Sequence, residues 1–256
     1  MSAVDVHHVV TGRAEGPVVV LSNSLGSTHA MWDGNLADLE RRFRVVRYDT
    51  RGHGASPVPP GPYSIDDLAD DVVALLDRLG VERAHFLGLS LGGMTGMRLA
   101  ARNPERVDRL VLLCTGAHLA PSSAWRDRAA TVRADGTHAV AEAVVARWFT
   151  PRFLQTNPDV KASCEAMVAG TPAEGYAGCC EVIADMDLRP DLPAITAPTL
   201  AIAGADDPAT PPPHLEEIAE AVEDGRLLVV PDSAHLANAQ QPQVITRAVI
   251  EHLAAT

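Results

Sequence analysis

Ser90, Asp207 and His235 are the residues of this 256-residue chain whose types and order fit nucleophilic acyl transfer. Ser90 stands in Gly88-Leu89-Ser90-Leu91-Gly92, between the apolar run Ala84 to Leu87 and a helix-like stretch that opens with Gly92-Gly93-Met94. A strand that turns at once into a helix holds its turn residue in a strained backbone conformation. Small residues two positions to either side let the two elements pass closely. The serine hydroxyl then projects at a helix N-terminus, where free backbone N–H groups can stabilise a developing oxyanion. The spacing alone also fits a plain structural turn. What raises it is an acid and a base further along, each just beyond an apolar run, in the order serine, acid, histidine.

The acid follows PTLAIAG, in Gly204-Ala205-Asp206-Asp207-Pro208, and the spacing of glycine, two residues, then acid favours Asp207 over Asp206. The base follows the last apolar run, in Pro231-Asp232-Ser233-Ala234-His235. A second oxyanion donor is expected from Ser22-Asn23-Ser24-Leu25-Gly26, with the Leu25 N–H meeting that of Leu91. His7, His8, His138, His214 and His252 are expected to be exposed. His53, in YDTRGHGAS, is expected to be structural, with Asp49 and Arg51 pairing locally.

Six apolar runs must position these residues: PVVVLS (17–22), FRVVRYD (43–49), AHFLGLS (84–90), RLVLLCT (109–115), PTLAIAG (198–204) and RLLVVPD (226–232). They lack clean alternation, which fits strands covered on both faces. Helical patterns lie between several of them, as at Ser64 to Leu79, Met94 to Arg102 and Gln241 to Ala254. Recurring strand, helix, strand implies an α/β fold with a mostly parallel sheet flanked by helices. Ala3 to Gly12 reads either as an additional strand or as a frayed terminus. The interval 118–190 breaks the rhythm with helical patterns and five prolines, and reads as an inserted helical cap. The core is then 1–117 with 191–256.

A net charge of −12 argues against a nucleic-acid partner, which needs a basic face. Lys161 is the single lysine, so any anion must be held locally, most simply by an arginine fork. No apolar run approaches the roughly 18 to 20 residues of a membrane span, and the N-terminus lacks a signal pattern, so no membrane partner and a cytoplasmic location are expected. Cys114, Cys164, Cys179 and Cys180 lack metal-ligand spacing and are expected to be reduced thiols. No nucleotide-binding or metalloprotease signature occurs, so neither metal nor cofactor is expected. Oligomeric state is left open.

The stretches LSNSLGSTHAMWD (21–33), FRVVRYDTRGHGAS (43–56), HFLGLSLGGMTG (85–96), RWFTPRF (147–153), GYAGCCEVIADMDLR (175–189) and AGADDPATPP (203–212) carry a family resemblance. Across nearly its whole length the chain resembles the α/β-hydrolases, and among them the 3-oxoadipate enol-lactonases. Asn23-Ser24, where many members have His-Gly, and the stretch around Cys179-Cys180 are the most specific features. The resemblance implies a small anionic lactone as substrate, opened by a Ser-His-Asp triad of aromatic catabolism. It also includes relatives fused to a C-terminal decarboxylase, and no such second domain is expected here. The substrate's carboxylate needs a partner in the cap, because an unpaired buried anion is costly. Arg128 is the first choice and Arg133 the second, with Trp125 and Trp148 as walls. A general carboxylesterase, a perhydrolase, or a non-catalytic receptor for a small acid remain alternatives.

Overall fold

The computed structural model describes residues 2–255. One sheet contains β1 (His8–Gly12), β2 (Val18–Ser22), β3 (Arg44–Tyr48), β4 (Ala84–Leu89), β5 (Val107–Leu113), β6 (Thr199–Gly204) and β7 (Gly225–Val230). Their spatial order is β1-β3-β2-β4-β5-β6-β7; β1 runs antiparallel to β3 and every other neighbouring pair is parallel. The six apolar runs become β2 to β7, with β5 starting at Val107 rather than Arg109. Of the stretch from Ala3 to Gly12, only His8–Gly12 pairs, as an edge strand.

Val19, Val20 and Leu21, Val45 and Val46, Phe86 and Leu87, and Leu110 to Leu113 are all buried, which is why their runs lack alternation. β7 departs from that expectation. It closes the sheet on the far side from β1, and Leu227 and Val229 are 39% and 40% exposed.

The helices are α1 (Leu36–Leu39), α2 (Ile65–Arg78), α3 (Leu91–Arg102), α4 (Ser122–Asp135), α5 (His138–Trp148), α6 (Pro151–Thr156), α7 (Pro158–Ala169), α8 (Ala173–Asp185), α9 (Pro212–Ala221), α10 (Ala237–Gln240) and α11 (Pro242–Leu253). α2 starts where it does because Ser64 and Asp67 form a reciprocal capping box, and it buries Leu68, Val72, Leu75 and Leu76. Five helices, α4 to α8, fill the interval between β5 and β6. Four of its prolines start helices rather than break them: Pro151 and Pro158 are the first residues of α6 and α7, and Pro121 and Pro172 precede α4 and α8.

Two features of this frame matter for the site. β3 lies on one side of β2 and β4 on the other, so the chain leaves β2 and β4 in opposite directions. That reversal opens a crevice at their carboxyl ends. Above it, α8 docks backbone to backbone: a Cβ on Gly175 would lie 2.0 Å from the Gly52 carbonyl oxygen.

Candidate active site

The loop after β4 carries Ser90 with φ 55° and ψ −115°, a strained conformation for a residue with a side chain. A Cβ on Gly88 would lie 2.2 Å from the Gly92 carbonyl oxygen, and one on Gly92 would lie 2.3 Å from that of Ser22. Any larger residue at either position would push β4, α3 and β2 apart. Hydrogen bonds hold the strained turn: Ser90 N–H donates to Leu113 O (2.9 Å), and Ser90 O accepts from Thr115 Oγ1 (2.7 Å). This is a nucleophile elbow, with the hydroxyl at the N-terminus of α3.

The loops after β6 and β7 bring Asp207 and His235 together. His235 Nδ1 lies 2.8 Å from Asp207 Oδ2, and both residues are buried. Asp207 is a fully occupied acceptor: Oδ1 takes the N–H of Ala209 (2.8 Å) and of Thr210 (3.2 Å), while Oδ2 also takes the Thr210 hydroxyl (2.7 Å). Burial alone would raise the Asp207 pKa, but His235, the Thr210 hydroxyl and the Ala209 N–H outweigh it and bring it to about 2. The carboxylate therefore stays ionised and holds Nδ1 protonated, leaving Nε2 as the basic nitrogen. His235 and Ser90 line the same cavity. Among the described residues no hydrogen bond joins them, and catalytic contacts of this kind often tighten only with substrate bound.

Asn23 explains what takes the place of His-Gly in the loop after β2. Its side-chain amide accepts from Trp32 Nε1 (2.9 Å) and donates to Tyr48 O (2.7 Å), and its backbone carbonyl accepts the Gly92 N–H (2.9 Å). The buried side chain thereby ties the loop to Trp32 and to β3, and the backbone ties it to the elbow. Ser24 and Leu25 reach the cavity beside Ser90.

The cavity holds about 280 Å³, at the small end for ligand pockets. Its far wall comes from α4, α5 and α8 and includes Trp125, Arg128, Arg147, Trp148 and Tyr176. Arg128 and Arg147 are half-buried and have no carboxylate partner among the described residues. The Arg128 guanidinium stacks 4.6 Å over the Trp125 ring. Burial, and then Arg128 beside it, lowers the Arg147 pKa. The buried Tyr176 hydroxyl sits beside the Arg128 guanidinium without a well-formed hydrogen bond; burial pushes its pKa up by more than Arg128 lowers it, so it remains neutral. Two guanidiniums without carboxylate partners, beside the Tyr176 hydroxyl, concentrate positive charge in one wall of a protein of net charge −12.

Several expectations need correction. Arg133 is not at the cavity: it is committed to Glu174 (2.9 Å) and to Glu181 on the outer face of α8. Residues five apart lie about 140° around a helix, so α4 cannot aim both Arg128 and Arg133 at one site. Asp49 and Arg51 do not pair. Arg51 forks onto Asp71, with both contacts at 2.7 Å, and Asp49 accepts from His7 (3.1 Å) and His29 (3.0 Å). Of the five histidines expected to be exposed, only His138 is; His7, His8, His214 and His252 are half-buried, and His214 lines the cavity. The group His7, His29 and Asp49 has the ligand types of a metal site. Each Asp49 oxygen already accepts N–H donors, including those of His29 and Ala55, so the group is a hydrogen-bonded cluster.

Arg147, Tyr176, Thr210 and His214 were not picked out from the sequence. Arg147 and Tyr176 do fall in RWFTPRF and GYAGCC, two stretches that carry the family resemblance.

Residues 17–242 match the family model of the alpha/beta hydrolase fold. The chain belongs to the alpha/beta hydrolase family. Among curated members, it is 41% identical to 3-oxoadipate enol-lactonase 2 of Acinetobacter baylyi over 96% of this chain and 92% of that protein. It is 36% identical to 3-oxoadipate enol-lactonase 1 of the same organism, over 91% and 87%. Among solved structures of the family, the enol-lactonase of Burkholderia xenovorans superposes with a TM-score of 0.96 at 41% identity, covering 98% of this chain and 96% of that one. As an alpha/beta hydrolase the protein is an enzyme of hydrolytic type, in keeping with the resemblance read from its motifs. No helix among the described residues is long and apolar enough to cross a membrane.

Proposed function

We propose that this hydrolase opens 3-oxoadipate enol-lactone to 3-oxoadipate, in the β-ketoadipate pathway of aromatic catabolism, through an acyl-enzyme on Ser90. The observation that carries the substrate class is the unpaired Arg128 and Arg147 pair, with the Tyr176 hydroxyl, in the cavity that Ser90 and His235 also line. A lactone bearing an acetate side chain offers a carbonyl to one wall and a carboxylate to the other. The names of the similar enol-lactonases support the same substrate.

In this mechanism Ser90 Oγ attacks the lactone carbonyl while His235 Nε2 takes its proton. Asp207 holds the imidazole tautomer and stabilises the imidazolium. The N–H groups of Leu25 and Leu91 bind the oxyanion, each worth about 3 to 4 kcal/mol. Collapse breaks the bond from the acyl carbon to the ring oxygen, which takes the proton from His235 and leaves as an enol. That enol tautomerises to the ketone, so ring opening does not reverse. Water, deprotonated by His235, then cleaves the acyl-enzyme and frees Ser90.

Residues 118–190 act as the cap that supplies the anion site, over a core of 1–117 and 191–256. Trp125 and Trp148 wall the ring. The four cysteines are free and buried, which suits the reducing cytoplasm. The test is the loss of the lactone's ultraviolet absorbance with wild-type protein and with Ser90→Ala. Turnover by the wild type and none by the variant is the expected result. A folded wild type that leaves the lactone intact discards the substrate.

A further inference from the structure

The loop bearing His53 sits outside the Ser-His-Asp set, yet one of its side chains reaches the backbone beside Leu25. His53 is 1% exposed and bonds only to backbone. Its Nδ1 lies 3.2 Å from Arg51 O, and a carbonyl only accepts, so Nδ1 carries a proton. Its Nε2 lies 3.0 Å from the Gly26 nitrogen, and an amide N–H only donates, so Nε2 carries none. The two partners together select one neutral tautomer. Burial pushes the ring's pKa down to about 4, against the Arg51 carbonyl and the Asp49 charge, which keeps Nε2 an acceptor at neutral pH.

Leu25 lies between two peptide planes, and each is anchored. The Ser24–Leu25 plane contains the Leu25 N–H and is held by its carbonyl, which accepts from Ser27 Oγ (2.7 Å) and Ser27 N–H (3.2 Å). The Leu25–Gly26 plane is held by its N–H, on His53. Gly26 has φ +78°, and a Cβ there would lie 2.8 Å from the Tyr176 ring, so the loop is also closed from above. Releasing the second plane would let Leu25 rotate and turn its N–H off the carbonyl carbon under attack.

We infer that His53 is a positioning residue for the oxyanion hole, whose unprotonated Nε2 holds the Gly26 amide and so aims the Leu25 N–H at the tetrahedral intermediate. This rests on the acyl-transfer reading of Ser90. A histidine that merely filled space would be replaced by any ring of similar size.

The experiment compares His53→Phe, which keeps a ring without an acceptor, with His53→Gln, whose amide oxygen can reach the Nε2 position. Turnover of the enol-lactone and of p-nitrophenyl acetate is measured for both, together with the rate at which a fluorophosphonate labels Ser90. We expect His53→Phe to lower kcat about 10- to 100-fold on both substrates and to slow labelling in parallel, with KM within about twofold. His53→Gln is expected to recover most of that loss. A Phe variant with wild-type kcat, or equal losses in Phe and Gln, overturns the role. Nitrogen NMR of the wild type at pH 7 supplies a reading that needs no variant to fold. A neutral ring with its proton on Nδ1 supports the assignment, and a proton on Nε2 overturns it. Failure of the underlying mechanism looks different: wild-type protein that takes no phosphonate at Ser90 removes the hydrolytic reading and this role with it.

Discussion

The carboxyl edge of the sheet and the five helices above it meet at one cavity, but they hold their working residues by different means. At the sheet edge the backbone decides. Ser90 is held in a strained turn between two glycines, and Asp207 accepts two N–H groups from its own loop. On the helices the side chains decide, since Arg128 on α4, Arg147 on α5 and Tyr176 on α8 come from three separate elements and meet only through their side chains. On the proposed reading, bond-breaking machinery is built into the turns of the fold, whereas the choice of substrate rests on side chains that helices of the same shape could replace. A substitution at the edge should therefore damage every substrate alike, and one on the helices should discriminate among them.

The largest effect that would break this division is at the edge. Asp207→Asn should lower kcat on the order of 10⁴-fold for lactone and neutral ester alike, because the imidazole loses its correct tautomer. The same variant tests linkage. The Asp207 pKa is depressed to about 2, so its contribution to stability is present above about pH 4 and is lost as pH falls toward 2. Acid unfolding of the wild type should steepen in that window, and the Asn variant should lack this component. Next in size are Arg128→Leu and Arg147→Leu. Each should lower kcat/KM for the anionic lactone roughly 10- to 100-fold through KM and spare p-nitrophenyl acetate. Equal losses on both substrates would remove these arginines from carboxylate binding.

Two smaller effects sharpen the boundary. Thr210→Val removes one hydrogen bond from Asp207 Oδ2 and should cost about fivefold in kcat on both substrates, with the acid-unfolding midpoint moving to higher pH. Arg133→Gln breaks a surface ion-pair network, so melting temperature should change little and KM for the lactone should stay within about twofold. A large rise in KM would restore Arg133 to the substrate site.

The same division explains what could be read from the chain. Six strands, the elbow and the positions of Asp207 and His235 were legible because glycine spacing and apolar runs leave a mark on local sequence. Arg147 was not, because which face of α5 looks down on Ser90 depends on how that helix packs. Arg133 misled for the reverse reason: it is close to Arg128 in sequence yet turned away from it on the helix. His7 reads as a surface residue, yet the fold brings it and His29 to Asp49 from positions 42 and 20 residues distant. Local chemistry has local signals, and a shared cavity wall has none.

The backbone contact of Gly52 with Gly175 bears on where diversity can arise in such a scaffold. With no room for even one carbon, the start of α8 is welded to the loop below, and α8 becomes a fixed post for the roof. New clientele must then come by re-carving α4 and α5, where Arg128 and Arg147 sit, while Tyr176 stays in place as a common reference point. A library aimed at altered acid preference belongs on those two helices and should leave the post untouched.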